Sequence, residues 1–262
     1  MSRIAEMFAR VKAEGRVALM PYVMIGYPER GAEVELAAAM AEAGADMFEL
    51  GIPFSDPLAD GATVQRASER ALANGVRPRD CLESVRQMRS RGVTVPLVPM
   101  GYYNPFLQYG LERWTSEAAQ AGADGVIIPD LPPEEAQACK QACQKAGLDL
   151  VGFVAPTTPN ERIAEIASVA SGFLYCVALT GVTGARRELW QGLPAFLQRV
   201  RQHTDLPLVV GFGISTAAHV AQVGQYADGA IVASALIDML DTLEPAQHVA
   251  GAARFVRQLR GE

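Results

Sequence analysis

The chain has 262 residues, half of them hydrophobic, and a formal net charge of −6. That balance argues against nucleic acid or an anionic membrane as partner, and no apolar run approaches the ~18 residues a spanning helix needs. The four cysteines fit a reducing compartment, and with no linker, charge block or low-complexity tract in view, residues 1–262 are read as one domain in the cytoplasm.

An amphipathic helix is predicted over residues 2–14. Its early acid, Glu6, argues against a signal peptide. Short apolar strands are then predicted near 17–25, 47–51, 96–100, 125–128, 149–154, 173–178, 207–211 and 229–232. Helical patterns separate them, for example at 32–43, 63–73, 132–146, 160–170 and 193–203. A joint recurs before the strands: Ala43-Gly44-Ala45-Asp46, Ala121-Gly122-Ala123-Asp124 and the looser Tyr226-Ala227-Asp228-Gly229. Glycine just past a helix adopts the left-handed conformation that alanine resists. Repeated strand–helix units imply a parallel sheet. Eight of them at this length predict a closed (β/α)8 TIM barrel with an extra N-terminal helix. No GxGxxG turn follows the first strand, which excludes the usual dinucleotide fingerprint.

In such barrels the chemistry lies at the carboxyl ends of the strands. Strand residues Phe48, Glu49 and Leu50 alternate between faces, placing a carboxylate inside an apolar strand. No strand offers it an obvious inward basic partner, and an unpaired buried charge costs several kcal/mol. The following turn holds Asp56 and Asp60. Either aspartate is equally readable as a turn or helix cap. Asn104, before Pro105, reads as a turn residue, and Tyr175 as a core aromatic with its hydroxyl at the barrel mouth. Gly211-Phe212-Gly213 and Ala233-Ser234 follow the last two strands, where barrels often bind phosphate at helix starts. The glycine- and threonine-rich stretch Leu179–Ala185 suits a mobile lid. The cysteines, and the scattered His203, His219 and His248, give no metal-ligand spacing, so no metal is expected. Arginines at 186–187 and in the last helix are read as solvated faces.

Glu49-Leu-Gly-Ile-Pro-Phe-Ser-Asp-Pro-Leu-Ala-Asp60-Gly61, with Gln65 following, resembles the tryptophan synthase α-subunit family. Tyr102-Tyr-Asn104-Pro105, Pro129-Asp130-Leu-Pro, Gly181-Val-Thr-Gly184 and Gly211-Phe-Gly-Ile-Ser215 fall in the same order nearly end to end. The resemblance implies cleavage of indole-3-glycerol phosphate to indole and glyceraldehyde 3-phosphate. By it, Glu49 delivers a proton to indole C3, and Asp60, rather than Asp56, accepts from the ring N–H. Tyr175 and Thr183 line or close the site, Thr183 positioning Asp60 when the lid folds over, while Gly184, Gly213, Ala233 and Ser234 face the phosphate. Tyr22, Leu50, Phe212 and Ile231 flank the indole. Pro53, Asp56 and Asn104 face a β subunit in an α2β2 complex. That partner carries pyridoxal phosphate, and this chain carries no cofactor.

Two departures from the family pattern stand out: Ala178 and Ala233 occupy positions where serine and glycine are common. They bear on lid coupling and phosphate affinity, the second only if the backbone at 233 requires positive φ. Two other readings remain open: a free-standing indole-releasing lyase, and a regulatory subunit without catalysis.

Overall fold

A computed structural model describes residues 1–177, 190–211 and 213–262. Eight parallel strands form a closed barrel in sequence order. They are β1 (Ala18–Met24), β2 (Phe48–Gly51), β3 (Leu97–Met100), β4 (Gly125–Ile127), β5 (Asp149–Val154), β6 (Leu174–Cys176), β7 (Leu208–Val210) and β8 (Gly229–Val232). Phe48 and Leu50 are fully buried on the face toward the helices, which turns Glu49 to the barrel interior because side chains alternate along a strand. Leu50, expected to flank the indole, therefore points away from the site.

The N-terminal helix Arg3–Ala13 lies at the amino end of the barrel. Its buried stripe of Ile4, Met7, Phe8 and Val11 follows helical spacing. Ser2 accepts from the Ala5 N–H at 3.3 Å and donates to Asp149 at 2.8 Å, so the cap also docks the helix on β5.

The recurring Gly-Ala-Asp joint has a second purpose besides turning the chain. Asp46 accepts from the Leu19 N–H at 2.9 Å and returns its own N–H to the Leu19 carbonyl at 2.9 Å. Asp124 does the same with Leu97, at 2.8 and 2.9 Å, and Asp228 with Leu208, at 2.8 Å in both directions. Ser171 supplies the fourth copy, with Leu150. Each clip joins an odd strand to the next even one, at the point where a ladder begins and backbone groups would otherwise go unpaired.

The aspartates also collect arginines. Asp46 takes Arg10 at 3.0 Å, Arg16 at 2.7 Å, and Arg260. Asp124 takes Arg89 at 2.6 Å and Arg3. Arg254 and Arg257 on the last helix are exposed, as read from the sequence, but Arg260 is an exception to that solvated face. Its guanidinium is mostly buried and bonds Gly44 O and Val17 O as well as Asp46. The helix expected over 132–146 begins later, at Gln137. Pro132 and Pro133 precede a run of turns there, since proline lacks the N–H a continuing helix needs.

Candidate active site

Glu49 on β2 stands in register with Tyr22 on β1 and Val98 on β3. It is 2% exposed, and none of the ion pairs among the described residues reaches it. Its partner comes from across the barrel: the Tyr175 hydroxyl lies 3.5 Å from Oε2. Tyr175 is held by stacking on Phe153, with ring centroids 4.5 Å apart and planes 16° apart. Tyr175 is thus both a core aromatic and a hydroxyl aimed at the carboxyl group.

Two strand-end glycines make room for these tyrosines. A Cβ at Gly51 would sit 2.0 Å from the Tyr22 hydroxyl, and one at Gly211 would sit 2.2 Å from the Tyr175 ring. Gly211→Ala is therefore expected to lose about 1–3 kcal/mol of stability through overpacking, seen as a lower midpoint in urea. It should also displace the hydroxyl from Glu49, so activity falls along with stability.

Burial, reinforced by the charge of Asp60, pushes the Glu49 carboxyl up to about 8, against a small opposing effect of the Tyr175 hydroxyl. Asp60 is also raised by burial, but only to about 6: it starts lower, is less enclosed, and the Tyr102 hydroxyl opposes the rise by donating to its Oδ2 at 3.1 Å. Near pH 7 one carboxyl group is therefore mostly protonated and its neighbour mostly ionised. Such a split separates a proton donor from an anionic stabiliser.

The structure distinguishes the two aspartates that sequence alone left equivalent. Asp56 is exposed and holds the Ser55 hydroxyl at 2.5 Å. Asp60 is not the helix cap: Gly61 precedes helix Ala62–Ala73, with no side-chain cap. Gln65 instead ties the Asp60 carbonyl at 2.8 Å. Tyr102, the hydroxyl on Asp60, is the site residue that sequence reasoning left without a role; its place beside the Asn104-Pro105 motif was the available signal.

Two of the expected rim residues need correction. Pro53 is buried within the chain itself, leaving Asp56 and Asn104 as the exposed pair. Asn104 is no turn residue. It lies in the first turn of helix Tyr103–Tyr109, where Pro105 is tolerated and where the Tyr103 N–H is satisfied by Asp130 at 2.8 Å.

At the other side of the mouth, Ser234 opens helix Ser234–Asp241 and is exposed. Ala233 has φ −111°, so this position does not demand the positive φ that would favour glycine. Gly213, after β7, has φ +69° and is exposed. Since β7 pairs with β8, their following loops are neighbours. Ile231, 2% exposed, is in register with Met20, two residues before Tyr22, and so shares the inward face. Thr183, Gly184 and Phe212, with the expected lid and Ala178, lie outside the described residues. A cleft of about 510 Å³ beside β5 is lined by parts of 128–136, 150–153 and 157–170 and contains neither Glu49 nor Asp60. Among the described residues no cluster of His, Cys, Asp and Glu could hold a metal ion.

A closed parallel barrel with two carboxyl groups of separated acidity at its mouth defines an α/β-barrel enzyme of the acid–base class. A family model described as "Tryptophan synthase alpha chain" matches residues 8–260. The tryptophan synthase alpha chain of Roseiflexus sp. (strain RS-1) is 70% identical over 261 residues, covering 100% of both chains. That of Chloroflexus aggregans is 59% identical, covering 99% of this chain and 97% of the relative. Among solved structures, tryptophan synthase subunit alpha from Legionella pneumophila matches with a TM-score of 0.92 at 39% identity, covering 100% of this chain and 98% of that one. A chain of tryptophan synthase from M. tuberculosis, in an aminoacrylate-bound form, gives 0.88 at 37%, covering 99% and 98%. The chain belongs to the tryptophan synthase alpha chain family.

Proposed function

We propose that this chain, acting as one barrel domain over residues 1–262, cleaves indole-3-glycerol phosphate into indole and glyceraldehyde 3-phosphate by a retro-aldol reaction. The carrying observation is the buried pair of carboxyl groups, one near 8 and one near 6. Protonated Glu49 gives its proton to indole C3. The ring is then cationic, and ionised Asp60 stabilises it by accepting from the ring N–H. The Glu49 carboxylate next takes the proton of the glycerol hydroxyl next to the bond that breaks. A carbonyl forms there, and the C–C bonding pair returns to the ring as neutral indole departs. Glu49 ends protonated, as it began.

Tyr22, Tyr175 and Ile231 supply the wall around the indole, with Phe212 as a further wall residue. The N–H groups opening helix Ser234–Asp241, with Ala233, Gly213 and Gly184, hold the phosphate at the positive end of the helix dipole. Thr183 closes the site. The exposed rim of Asp56, Leu58, Asn104 and Leu107 faces a β subunit; Leu58 is 94% exposed and Leu107 50%. Apolar side chains that open to water favour burial in an interface. Pyridoxal phosphate resides in that partner. No described helix is long and apolar enough to cross a membrane, and the complex acts in the cytoplasm.

The test is indole release from indole-3-glycerol phosphate by the wild-type chain, with and without a β subunit. Turnover that rises on adding the partner supports the reading. A high rate with no gain supports a free-standing lyase, and zero turnover with normal complex formation supports a regulatory subunit. In the same assay Asp60→Asn is expected to lose roughly 10²–10³-fold in kcat, the size typical of one removed electrostatic stabiliser.

A further inference from the structure

Tyr102 makes two hydroxyl contacts to the end of the loop that carries Asp60. Its hydroxyl oxygen accepts from the Ala59 N–H at 2.9 Å and donates to Asp60 Oδ2 at 3.1 Å. A phenol has one proton to give, and the Ala59 N–H occupies a lone pair, so the proton is directed at the carboxylate. The ring meanwhile stacks on Phe54, near the start of the same loop, with centroids 5.2 Å apart. Phe54 is itself clipped through both its N–H and its carbonyl to the Ser68 hydroxyl, at 2.9 and 3.0 Å. Tyr102 is 4% exposed and follows β3, so an element outside the loop fixes the loop at both ends.

We propose that Tyr102 is a positioning residue for Asp60: its hydroxyl holds Oδ2 and leaves Oδ1 turned to the substrate as the acceptor for the ring N–H. This rests on the role given to Asp60 above. Among the described residues only the Tyr102 hydroxyl hydrogen-bonds the Asp60 carboxylate, and it takes Oδ2 rather than Oδ1. The phenol remains protonated throughout the working range, because burial and the neighbouring Asp60 charge push it well above its ordinary value. It therefore donates at every pH at which Asp60 is ionised. In the opposite direction, its hydrogen bond limits the rise that burial imposes on Asp60.

Tyr102→Phe tests this, since phenylalanine keeps the stack on Phe54 and removes the hydroxyl alone. The kcat for indole release should fall roughly 10- to 100-fold, the loss of one hydrogen bond to a charged group, with KM changed less than about threefold. A purely structural role would not alter the titration of Asp60. That titration is read by NMR of ¹³C-labelled aspartate carboxyl groups, with Asp60→Asn assigning the signal. In Tyr102→Phe the Asp60 midpoint should move upward by about one pH unit. A midpoint identical to that of the wild type overturns the proposal, whatever the rate does. A wild-type chain without lyase activity would instead sink the proposed function, and the carboxyl titration would still decide the role of Tyr102.

Discussion

Glu49→Gln is expected to slow indole release about 10²–10⁴-fold, the range spanned by loss of one positioned proton transfer, and to leave the barrel folded. Glutamine matches glutamate in size and still offers the Tyr175 hydroxyl an acceptor, so packing is retained. What disappears is the transferable proton. A loss of less than tenfold would show that another group protonates C3. The wild-type kcat/KM should follow a bell between the two carboxyl groups, rising as Asp60 ionises near 6 and falling as Glu49 loses its proton near 8. With Glu49→Gln the residual activity should lose the alkaline limb and keep the acid one.

The same substitution has a stability signature whose sign follows from linkage. The folded state holds Glu49 near 8, above its ordinary value of 4.5, so folding favours the protonated form. Its stability is fully present below the unfolded value and declines as pH rises towards and through 8. By pH 8 the wild type has lost most of that contribution, because the unfolded chain ionises Glu49 freely in water, a handicap on the order of a few kcal/mol. Glutamine never ionises and escapes it. Calorimetry at pH 5 and pH 8 should therefore show Glu49→Gln gaining on the wild type at the higher pH. A constant difference between the two would mean that Glu49 is not held protonated by the fold.

Sequence made the barrel and the buried carboxyl group of Glu49 legible for local reasons. Alternation around Glu49 reports a face, and a strand–helix period reports a parallel sheet; both are properties of neighbouring residues. What escaped it depends on residues brought together from afar. Glu49 finds Tyr175, 126 positions along the chain. Asp60 finds Tyr102, 42 positions along, and this contact separates it from Asp56. Arg260 looked like one more surface charge on a helix until the closing of the barrel set it beside Asp46. Asn104 was misplaced for a different reason: proline after it reads as a turn, but the first turn of a helix tolerates proline just as well.

The amino end of the barrel should carry much of its stability, and Asp46→Ala tests that most directly. Asp46 is 2% exposed and gathers Arg10, Arg16 and Arg260 together with the Leu19 N–H. Burial alone would raise this carboxyl group, but the Arg16 and Leu19 hydrogen bonds, with the charge of Arg260, outweigh it and hold the group below its ordinary value. Removing it leaves the mostly buried Arg260 without its counter-charge and the Leu19 N–H without an acceptor. Breaking a buried pair from one side costs about 3–5 kcal/mol, equivalent to a fall of roughly 10 °C in Tm for a chain of this size. Arg10→Gln should cost far less, since half of that side chain is in water. A depressed carboxyl group stabilises the fold above its unfolded value and loses that contribution as pH falls through its folded value. The gap between wild type and Asp46→Ala should therefore be full near neutrality and narrow in acid, and a gap under 1 kcal/mol at pH 7 would mean that the arginines settle equally well in water. Asp46→Asn separates the two components, because the amide oxygen can still accept from Leu19 while the charge is gone.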